Sequence, residues 1–214
     1  MSSENKYIET FKSWSKVAQR YEDKFIDNEL YDDTYKKFYN IIGKHNASIL
    51  EIGCGPGNIT RNILKLNPSF NILATDVSIA MINLAKKNCP KAKFKVLDCR
   101  EIRVLKTKYD AIICGFTIPY LSYIDCNQLF SSIEKLLVEG GILYLSFVVG
   151  IYTGSGYISD SFGNRMYFYY HELEIICKEL ETNNLSVIEQ FEKSVKSNKS
   201  TESHIILLVK KRKT

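Results

Sequence analysis

This sequence has no C-x-x-C cysteine pair, no secretory signal pattern and no long apolar run. None of its stretches approaches the ~18 uninterrupted apolar residues that a bilayer-spanning helix needs, and the first residues, MSSENKYIE, lack the basic-then-apolar pattern of a secretory signal. The six cysteines form no C-x-x-C pair, and several lie in apolar runs where a reduced thiol packs as a small hydrophobic group. These absences predict a cytoplasmic, soluble protein with no membrane partner.

Clustered metal ligands and clustered basic residues are scarce as well. No His, Cys or Asp cluster has the spacing of metal ligands, so we expect no bound metal. The net charge is +5, but the lysines are spread along the chain, and the one dense basic run is residues 210–213. Because a nucleic-acid surface needs clustered Lys and Arg to neutralise phosphates, we interpret these charges mainly as solvated surface and expect no nucleic-acid partner.

The size and composition are those of an ordinary globular protein. A chain of 214 residues, 45% hydrophobic and 25% charged, can bury a sizeable core, yet two full domains would be crowded in it. We expect residues 1–43 to form a helical segment and residues 44–214 a single globular unit. The protein would act as a monomer or a homodimer.

Predicted strands and helices alternate after Gly43. Before it, residues 8–42 have apolar residues at three- and four-residue spacing, which predicts two helices broken near Asn28. Alternation of strand and helix is typical of an α/β fold with a mostly parallel sheet. The last two strands are joined by the polar loop KSNKSTES, which permits only an antiparallel pair, and residues 150–170 fit no regular element. The seven predicted strands are 47–53, 71–77, 93–98, 109–115, 142–148, 185–193 and 204–211.

A glycine-rich turn, EIGCGPGN at residues 51–58, lies where the first predicted strand passes to a helix. Glycines there let the turn adopt positive φ and let a ligand approach the backbone. The dinucleotide pattern G-x-G-x-x-G/A would need a small residue at Asn58, and the third glycine instead falls one place early, at Gly57. Asp76 follows Gly57 by 76 − 57 = 19 residues and ends the second strand, so its carboxylate can accept both hydroxyls of a ribose at the same sheet edge.

The spacing acidic-x-G-x-G-x-G resembles the first motif of the S-adenosylmethionine-dependent methyltransferases with a Rossmann-like fold, and DVSIAMINLAK at residues 76–86 resembles their second motif. The resemblance covers roughly residues 47–147. It implies a Rossmann-like three-layer sandwich with one antiparallel strand near the C-terminus, and S-adenosylhomocysteine as the product. The cofactor-binding residues it implies are Glu51, Gly53, Cys54, Gly55, Gly57, Asp76, Val77, Met81, Asp98, Cys99, Gly115 and Phe116.

The same resemblance implies individual roles within that set. Glu51 would steady the ammonium group of the cofactor, often through water, and Asp98 would meet the amino group of the adenine. Val77 and Met81 would flank the adenine ring. Met81 is alternatively a plain core residue, since a helical Met often fills core gaps.

The N-terminal segment WSKVAQRYEDKF, residues 14–25, resembles the lid helix of the small-molecule branch of this family, in which a tyrosine equivalent to Tyr21 closes over the cofactor. Packing of an amphipathic helix on the sheet explains the same pattern. Because ligands of open α/β sheets bind beyond the carboxyl ends of the strands, the predicted acceptor-pocket residues are Tyr21, Tyr120, Tyr169 and Tyr170.

The catalytic residues are not defined by the sequence, and the candidates are His171, Tyr120 and Tyr170. His171 is the best proton acceptor among them, because imidazole titrates close to neutrality, although a helix-capping or merely exposed histidine is the simpler interpretation. Ile118-Pro119-Tyr120 lacks the Asn or Asp and the second Pro of the N-P-P-Y motif, which disfavours methylation of bases or amide nitrogens.

The leading hypothesis is methyl transfer to a small molecule. The alternatives are an RNA or protein methyltransferase that uses the basic tail, and a protein that binds S-adenosylmethionine without turnover. The intact set of glycines and carboxylates disfavours the last of these.

Overall fold

One large sheet and one small hairpin contain all the strands in residues 3–196 and 201–213, which are the residues that the computed structural model describes. The strands are β1 (Ser48–Ile52), β2 (Asn71–Asp76), β3 (Lys93–Val96), β4 (Tyr109–Gly115), β5 (Leu137–Val148), β6 (Gly156–Ser159), β7 (Arg165–Phe168), β8 (Leu185–Lys196) and β9 (Thr201–Lys211). The large sheet has the order β3-β2-β1-β4-β5-β9-β8. Strands β1 to β5 pair in parallel, and β9 is antiparallel to both of its neighbours. The predicted mostly parallel seven-stranded sheet with one reversed strand is confirmed.

Six α-helices surround the sheet in the described residues. They are α1 (Ser3–Phe25), α2 (Asp32–Ile42), α3 (Asn58–Leu66), α4 (Ile79–Asn88), α5 (Tyr123–Leu136) and α6 (Leu173–Thr182). The two predicted N-terminal helices are α1 and α2, and the break between them includes Asn28. Ser78 caps α4, because its hydroxyl accepts the backbone N–H of Met81 at 3.3 Å.

The core lies on both faces of the central strands. On β4, Ala111 and Ile113 pack towards α2, α3 and α4, whereas Ile112 and Cys114 pack towards α5 and α6. Parallel strands covered on both faces need apolar side chains at successive positions, which is why these strands read as continuous apolar runs. The result is the three-layer sandwich that the sequence predicted.

Three local predictions differ from the structure. Residues 150–170, expected to be irregular, contain the β6–β7 hairpin, because Tyr157 and Tyr167 pair across it and stack edge-on at 5.1 Å. The strand predicted over residues 142–148 begins earlier, at Leu137, so that Gly140 and Gly141 lie inside β5. Residues 201–203 of the expected loop belong to β9, and residues 197–200 lie outside the described part of the chain.

The basic tail is only partly solvated. Lys211 is buried, and its ammonium lies 2.9 Å from Glu134 and 3.1 Å from Glu139, so the expectation of free surface charge is wrong at this position. Both carboxylates lie near the start of β5, where they compensate the buried positive charge of Lys211 on β9. Among residues 3–196 and 201–213, no helix has both the length and the apolarity that crossing a bilayer requires.

Candidate functional site

A cavity of about 380 Å³ opens at the sheet edge where β1, β2, β4 and β5 end. Its volume lies within the roughly 300–1000 Å³ typical of small-molecule sites. The turns after these strands form its floor, while α1, the segment before α2 and the β6–β7 hairpin supply its other walls. The start of β9 also contributes, because a reversed strand begins at the edge where its parallel neighbours end. The cavity therefore lies where open α/β sheets bind ligands.

The turn after β1 brings backbone to the cavity with few side chains in the way. Gly53 and Gly55 both line the cavity, with φ angles of +69° and +54°. Between them, the backbone N–H of Cys54 donates to the carbonyl of Thr75 at 2.9 Å, which ties the turn to β2. Since glycine adopts such φ angles at little cost, this turn can present its backbone to a ligand.

Gly57 does not line the cavity, and our assignment of it to ligand contact is a misreading of the motif. It is the residue before α3, and it has a φ of +91°. A Cβ at this position would lie 3.2 Å from the sulfur of Cys89 and 3.3 Å from the Cβ of Ala85. The third glycine therefore permits the close approach of α3 and α4 behind the cavity.

The Asp76 carboxylate points at the glycine turn. Its Oδ2 accepts the backbone N–H of Gly55 at 2.9 Å, and its Oδ1 accepts that of Ser78 at 2.8 Å. Burial raises the pKa of Asp76, and the two backbone donors oppose that rise. A carboxylate oxygen has more than one acceptor site, so both oxygens retain capacity for hydroxyl donors of a ligand in the cavity.

Glu51 lies at the end of β1, 1% exposed, and still reaches the cavity wall. Burial raises its pKa to about 8, and the nearby Asp76 carboxylate acts in the same direction, while a hydrogen bond donated by the Thr60 hydroxyl opposes the rise. Glu51 is therefore mostly protonated at neutral pH when no cation is nearby.

At the β2–β3 end of the cavity, the wall includes Val77, Met81, Asp98 and Cys99. Met81 is 2% exposed, so it serves the core as well as the wall. Asp98 is already paired: its Oδ2 lies 2.7 Å from Nη2 of Arg100, and its Oδ1 accepts the backbone N–H of that residue at 2.9 Å. The capacity of Asp98 for a further donor is smaller than the sequence suggested.

Gly115 and Phe116 line the cavity at the end of β4. Phe116 has a φ of +52°, which a side chain other than glycine rarely adopts, and its backbone N–H donates to the carbonyl of Ser146 at 2.9 Å. Such strained positions concentrate at functional sites. The strain here aims the Phe116 ring at Tyr31, with the ring centroids 5.4 Å apart.

Aromatic side chains form the wall opposite the glycine turn. The Trp14 ring meets Tyr21 edge-on at 5.2 Å and Tyr120 at 5.3 Å. Tyr21 lies over the turn, since a Cβ on Gly55 would be 3.8 Å from its ring. Of the predicted acceptor-pocket residues, Tyr21, Tyr120 and Tyr170 are in the cavity wall.

Tyr169 and His171 are not in that wall, which corrects both expectations. His171 is fully buried, with its Nε2 2.8 Å from the carbonyl oxygen of Ile118, and burial lowers its pKa. Tyr169 is 5% exposed, and its backbone N–H donates to the carbonyl of Pro119 at 2.7 Å. Both residues contact the segment after β4, at Ile118 and Pro119, and hold it in place.

The residues that line the cavity but were missed by the sequence interpretation include Tyr31, Glu202 and His204. His204 is the first residue of the strand predicted over residues 204–211. The signal was nevertheless present, because the predicted reversed strand must begin at the ligand-binding edge of the sheet. Tyr31 had no such signal, since it lies in the break between two helices.

All six cysteines are free thiols. In the part of the chain that the structure describes, no group of three or more His, Cys, Asp or Glu side chains is arranged to hold a metal ion.

Comparison with known proteins gives matches to methyltransferases. Residues 49–141 match a family model described as a methyltransferase domain. The malonyl-[acyl-carrier protein] O-methyltransferase of Priestia megaterium is 28% identical over 192 residues, which cover 82% of this chain and 65% of the relative. The tRNA N(3)-methylcytidine methyltransferase of Schizosaccharomyces pombe is 33% identical over 134 residues, 60% of this chain and 54% of the relative. This chain thus spans less than two thirds of the length of these curated relatives.

The fold is shared with solved methyltransferase structures. The Burkholderia thailandensis 1,6-didemethyltoxoflavin-N1-methyltransferase, crystallised with 1,6-didemethyltoxoflavin and S-adenosylhomocysteine, superposes with a TM-score of 0.74 at 13% identity and covers 100% of this chain and 92% of that one. The sheet order, the glycine turn and these matches define a class of protein. The chain carries a methyltransferase domain over residues 49–141 and shares the Rossmann-like fold of solved S-adenosylmethionine-dependent methyltransferases.

Proposed function

We propose that this chain transfers a methyl group from S-adenosylmethionine to a small molecule held beneath α1, and that S-adenosylhomocysteine is released. The observation that carries the proposal is the Asp76 carboxylate, which faces a glycine turn at one end of a cavity whose opposite wall is aromatic. A ribose fits this carboxylate, and an apolar acceptor fits the aromatic wall.

Each end of the cavity has a distinct task in this proposal. Asp76 binds the ribose hydroxyls, Glu51 binds the ammonium group, and Val77 and Met81 enclose the adenine. The cofactor supplies a methyl group that its sulfonium makes electrophilic. The protein chiefly aligns the acceptor and excludes water, which contributes ~7–11 kcal/mol to lowering the barrier in favourable cases.

Residues 1–43 act in this proposal as a lid over the unit formed by residues 44–214. Support comes from contacts that α1 makes above the cavity. The Ser15 hydroxyl lies 2.9 Å from that of Ser78, and the Ser13 hydroxyl donates to the carbonyl of Arg165 on the hairpin at 2.5 Å. Arg100 joins the lid to the adenine end, because its guanidinium lies 4.1 Å from the centre of the Tyr7 ring.

Isothermal titration with S-adenosylmethionine, S-adenosylhomocysteine and NAD tests the proposal. We expect the first two to bind and NAD not to bind, because Asn58 stands where the dinucleotide fingerprint needs a small residue. Preference for NAD, or binding of none of the three, contradicts the proposal.

Binding of S-adenosylmethionine at pH 7 is expected to release close to one proton. Burial holds the pKa of Glu51 at about 8, so the carboxyl is protonated before binding, and the incoming ammonium favours its ionised form. Since a proton must leave, affinity should rise with pH up to about pH 8. Titrations in phosphate and in Tris, which differ in ionisation enthalpy, measure the number of protons released.

The Glu51→Gln variant is the control for this prediction, because it keeps the side-chain volume and cannot ionise. Its binding should be weaker and should release markedly fewer protons. An unchanged proton count in this variant would assign the released proton elsewhere, with Asp76 the next candidate, because burial raises its pKa too.

RNA methylation is a second candidate, favoured by the 33% identity to the tRNA methyltransferase over 134 residues. An RNA partner held by ~6–10 phosphate contacts would lose affinity by ~10³–10⁵ between 50 and 200 mM salt. Lys211 does not serve such a surface, because it is buried and paired with two glutamates. A salt titration with tRNA distinguishes this candidate from the first.

A further inference from the structure

Three side chains that the cofactor assignments leave unused form a connected row in the cavity wall. The Tyr31 hydroxyl lies 2.6 Å from Nδ1 of His204, and Nε2 of His204 lies 3.4 Å from a carboxylate oxygen of Glu202. The Tyr31 and His204 rings are stacked, with centroids 6.2 Å apart and planes 9° from parallel. A hydroxyl, an imidazole and a carboxylate in this order are the components of a proton relay.

The row lies at the end of the cavity away from the ribose carboxylate. Asp76 ends β2 and His204 lies near the start of β9, paired with the last residue of β5, and the sheet order places β1, β4 and β5 between β2 and β9. Four strand spacings of about 4.8 Å separate them, or about 19 Å. A cofactor whose ribose is bound at Asp76 extends from β2 towards β4, so the space beside β5 and β9 is left to the acceptor.

The backbone around the row holds its members in place. The Phe116 ring packs against Tyr31 at 5.4 Å and against His204 edge-on at 5.0 Å. His204 pairs with Val148, the last residue of β5, which also lines the cavity. Tyr31 is 8% exposed and lines the cavity, so little of its side chain is open to bulk water.

We propose that Tyr31 accepts a proton from the methyl acceptor, and that His204 and Glu202 position Tyr31 and carry the proton away. The acceptor is then a molecule that arrives with an O–H or N–H that must be lost on methylation. This inference rests on the proposed methyl transfer and deepens it, because it names the chemical class of the acceptor and the residue that the acceptor touches.

The step balances without a further reagent. The acceptor atom X gives its proton to the Tyr31 oxygen while Tyr31 passes its own proton to Nδ1 of His204. The electron pair of X forms the bond to the methyl carbon, and the electron pair of the broken sulfur–carbon bond stays on sulfur. The imidazolium is stabilised by Glu202, whose side chain is 40% exposed and can release the proton to solvent.

The groups around His204 are compatible with this task. Burial lowers the pKa of His204, and Glu202 opposes the change, so the imidazole is neutral and free to accept a proton at neutral pH. Lys193 on β8 lies opposite His204, and its charge is compensated by Asp33 at 2.6 Å. On the cavity side, titratable neighbours of the row include Tyr21, Tyr35 and Tyr120, and burial keeps each hydroxyl neutral by raising its pKa.

The test measures S-adenosylhomocysteine formation from a panel of phenols, alcohols and primary amines by the wild type and by Tyr31→Phe, His204→Gln and Glu202→Gln. General acid–base catalysis contributes about 10²–10⁴-fold, so we expect Tyr31→Phe to lower kcat by about 100-fold or more. Its affinity for S-adenosylhomocysteine, measured by titration calorimetry, should stay within about threefold, because the ribose end is untouched. Tyr39→Phe and His45→Gln, whose side chains lie outside the cavity wall, are the matched controls.

The pH profile separates a relay from a merely structural role. The wild-type kcat should fall as pH drops through the pKa of His204, because the protonated imidazole cannot accept a further proton. That acid limb should disappear in His204→Gln and move to lower pH in Glu202→Gln, which loses the carboxylate favouring the imidazolium.

The two proposals fail in different ways. A wild type that binds no S-adenosylhomocysteine, or that binds it and methylates nothing in the panel, contradicts the proposed function. A wild type that methylates a panel member while Tyr31→Phe retains kcat within threefold across the pH range contradicts the relay alone.

Discussion

Replacing Asp76 with alanine is expected to lower the affinity for S-adenosylhomocysteine by roughly 100-fold or more. Hydrogen bonds to a charged group contribute about 1.5–3 kcal/mol each, and loss of two from the ribose hydroxyls would cost at least about 3 kcal/mol. The variant also leaves the backbone N–H groups of Gly55 and Ser78 without their acceptor, which loosens the turn. Titration calorimetry with S-adenosylhomocysteine measures the change.

Asp110 offers a matched control for this experiment. It is also a strand carboxylate that accepts a backbone N–H, that of Ser48 at 2.8 Å, but it lies near the start of β4, at the sheet edge opposite the cavity. Asp110→Ala should leave binding within about threefold. Asp76→Asn, which keeps the side-chain volume, should lie between the wild type and Asp76→Ala. Wild-type affinity in a folded Asp76→Ala would show that the ribose is held elsewhere.

Replacing Gly53 with alanine is expected to damage both the fold and the site. The φ of +69° costs a side chain about 1–2 kcal/mol, and the new Cβ would lie 2.3 Å from the Thr117 hydroxyl oxygen. Thr117 cannot simply rotate away, because that hydroxyl donates to the carbonyl of Ile52 at 2.9 Å. Crowding of this kind adds about 1–3 kcal/mol.

The combined cost is about 2–5 kcal/mol, which lowers the Tm of a chain of this size by roughly 4–20 °C, since 1 kcal/mol corresponds to about 2–4 °C. We also expect affinity for S-adenosylhomocysteine to fall by at least about tenfold, because the turn must shift. Thermal melts followed by circular dichroism, together with calorimetric titration, give both numbers.

Two further variants make the Gly53 prediction specific. Adding Thr117→Ala to Gly53→Ala removes the nearest clashing atoms and should recover part of the lost stability, though not the share that comes from φ. Gly156→Ala is the control, since nothing lies within 4 Å of a Cβ there and its φ is not positive. A Gly53→Ala variant as stable as Gly156→Ala would mean that the turn adapts without cost.

The sheet was predictable because its strands are buried on both faces and its helices alternate with them. Ala111 to Cys114 form an apolar run that only a covered strand explains, and the alternation leaves few topologies to consider. The β6–β7 hairpin was not predictable. Its tyrosines contact each other and α1. They do not pack on an apolar face, so no regular spacing of apolar residues marks the hairpin in the sequence.

The candidate site likewise contains some residues that the sequence predicted and others that it did not. Residues within one strand-to-turn segment, such as Gly53, Asp76 and Gly115, were placed at the cavity by local motif spacing. Gly57 and His171 were misjudged, because a motif or a residue type does not reveal which way a neighbouring helix packs. Tyr31 and His204 were missed because they are 173 residues apart in the chain, and their hydrogen bond forms only in the folded structure.

By itself, the sequence determined the order of strands and helices, the glycine bend and the carboxylate that follows it, because each depends on local backbone geometry and on the period of apolar residues. Only the tertiary structure decided which aromatic and titratable side chains meet across the cavity. These contacts depend on how a reversed strand and an N-terminal helix pack against the sheet edge. Packing between segments that are distant in the chain produces no residue spacing that can be recognised in a single sequence.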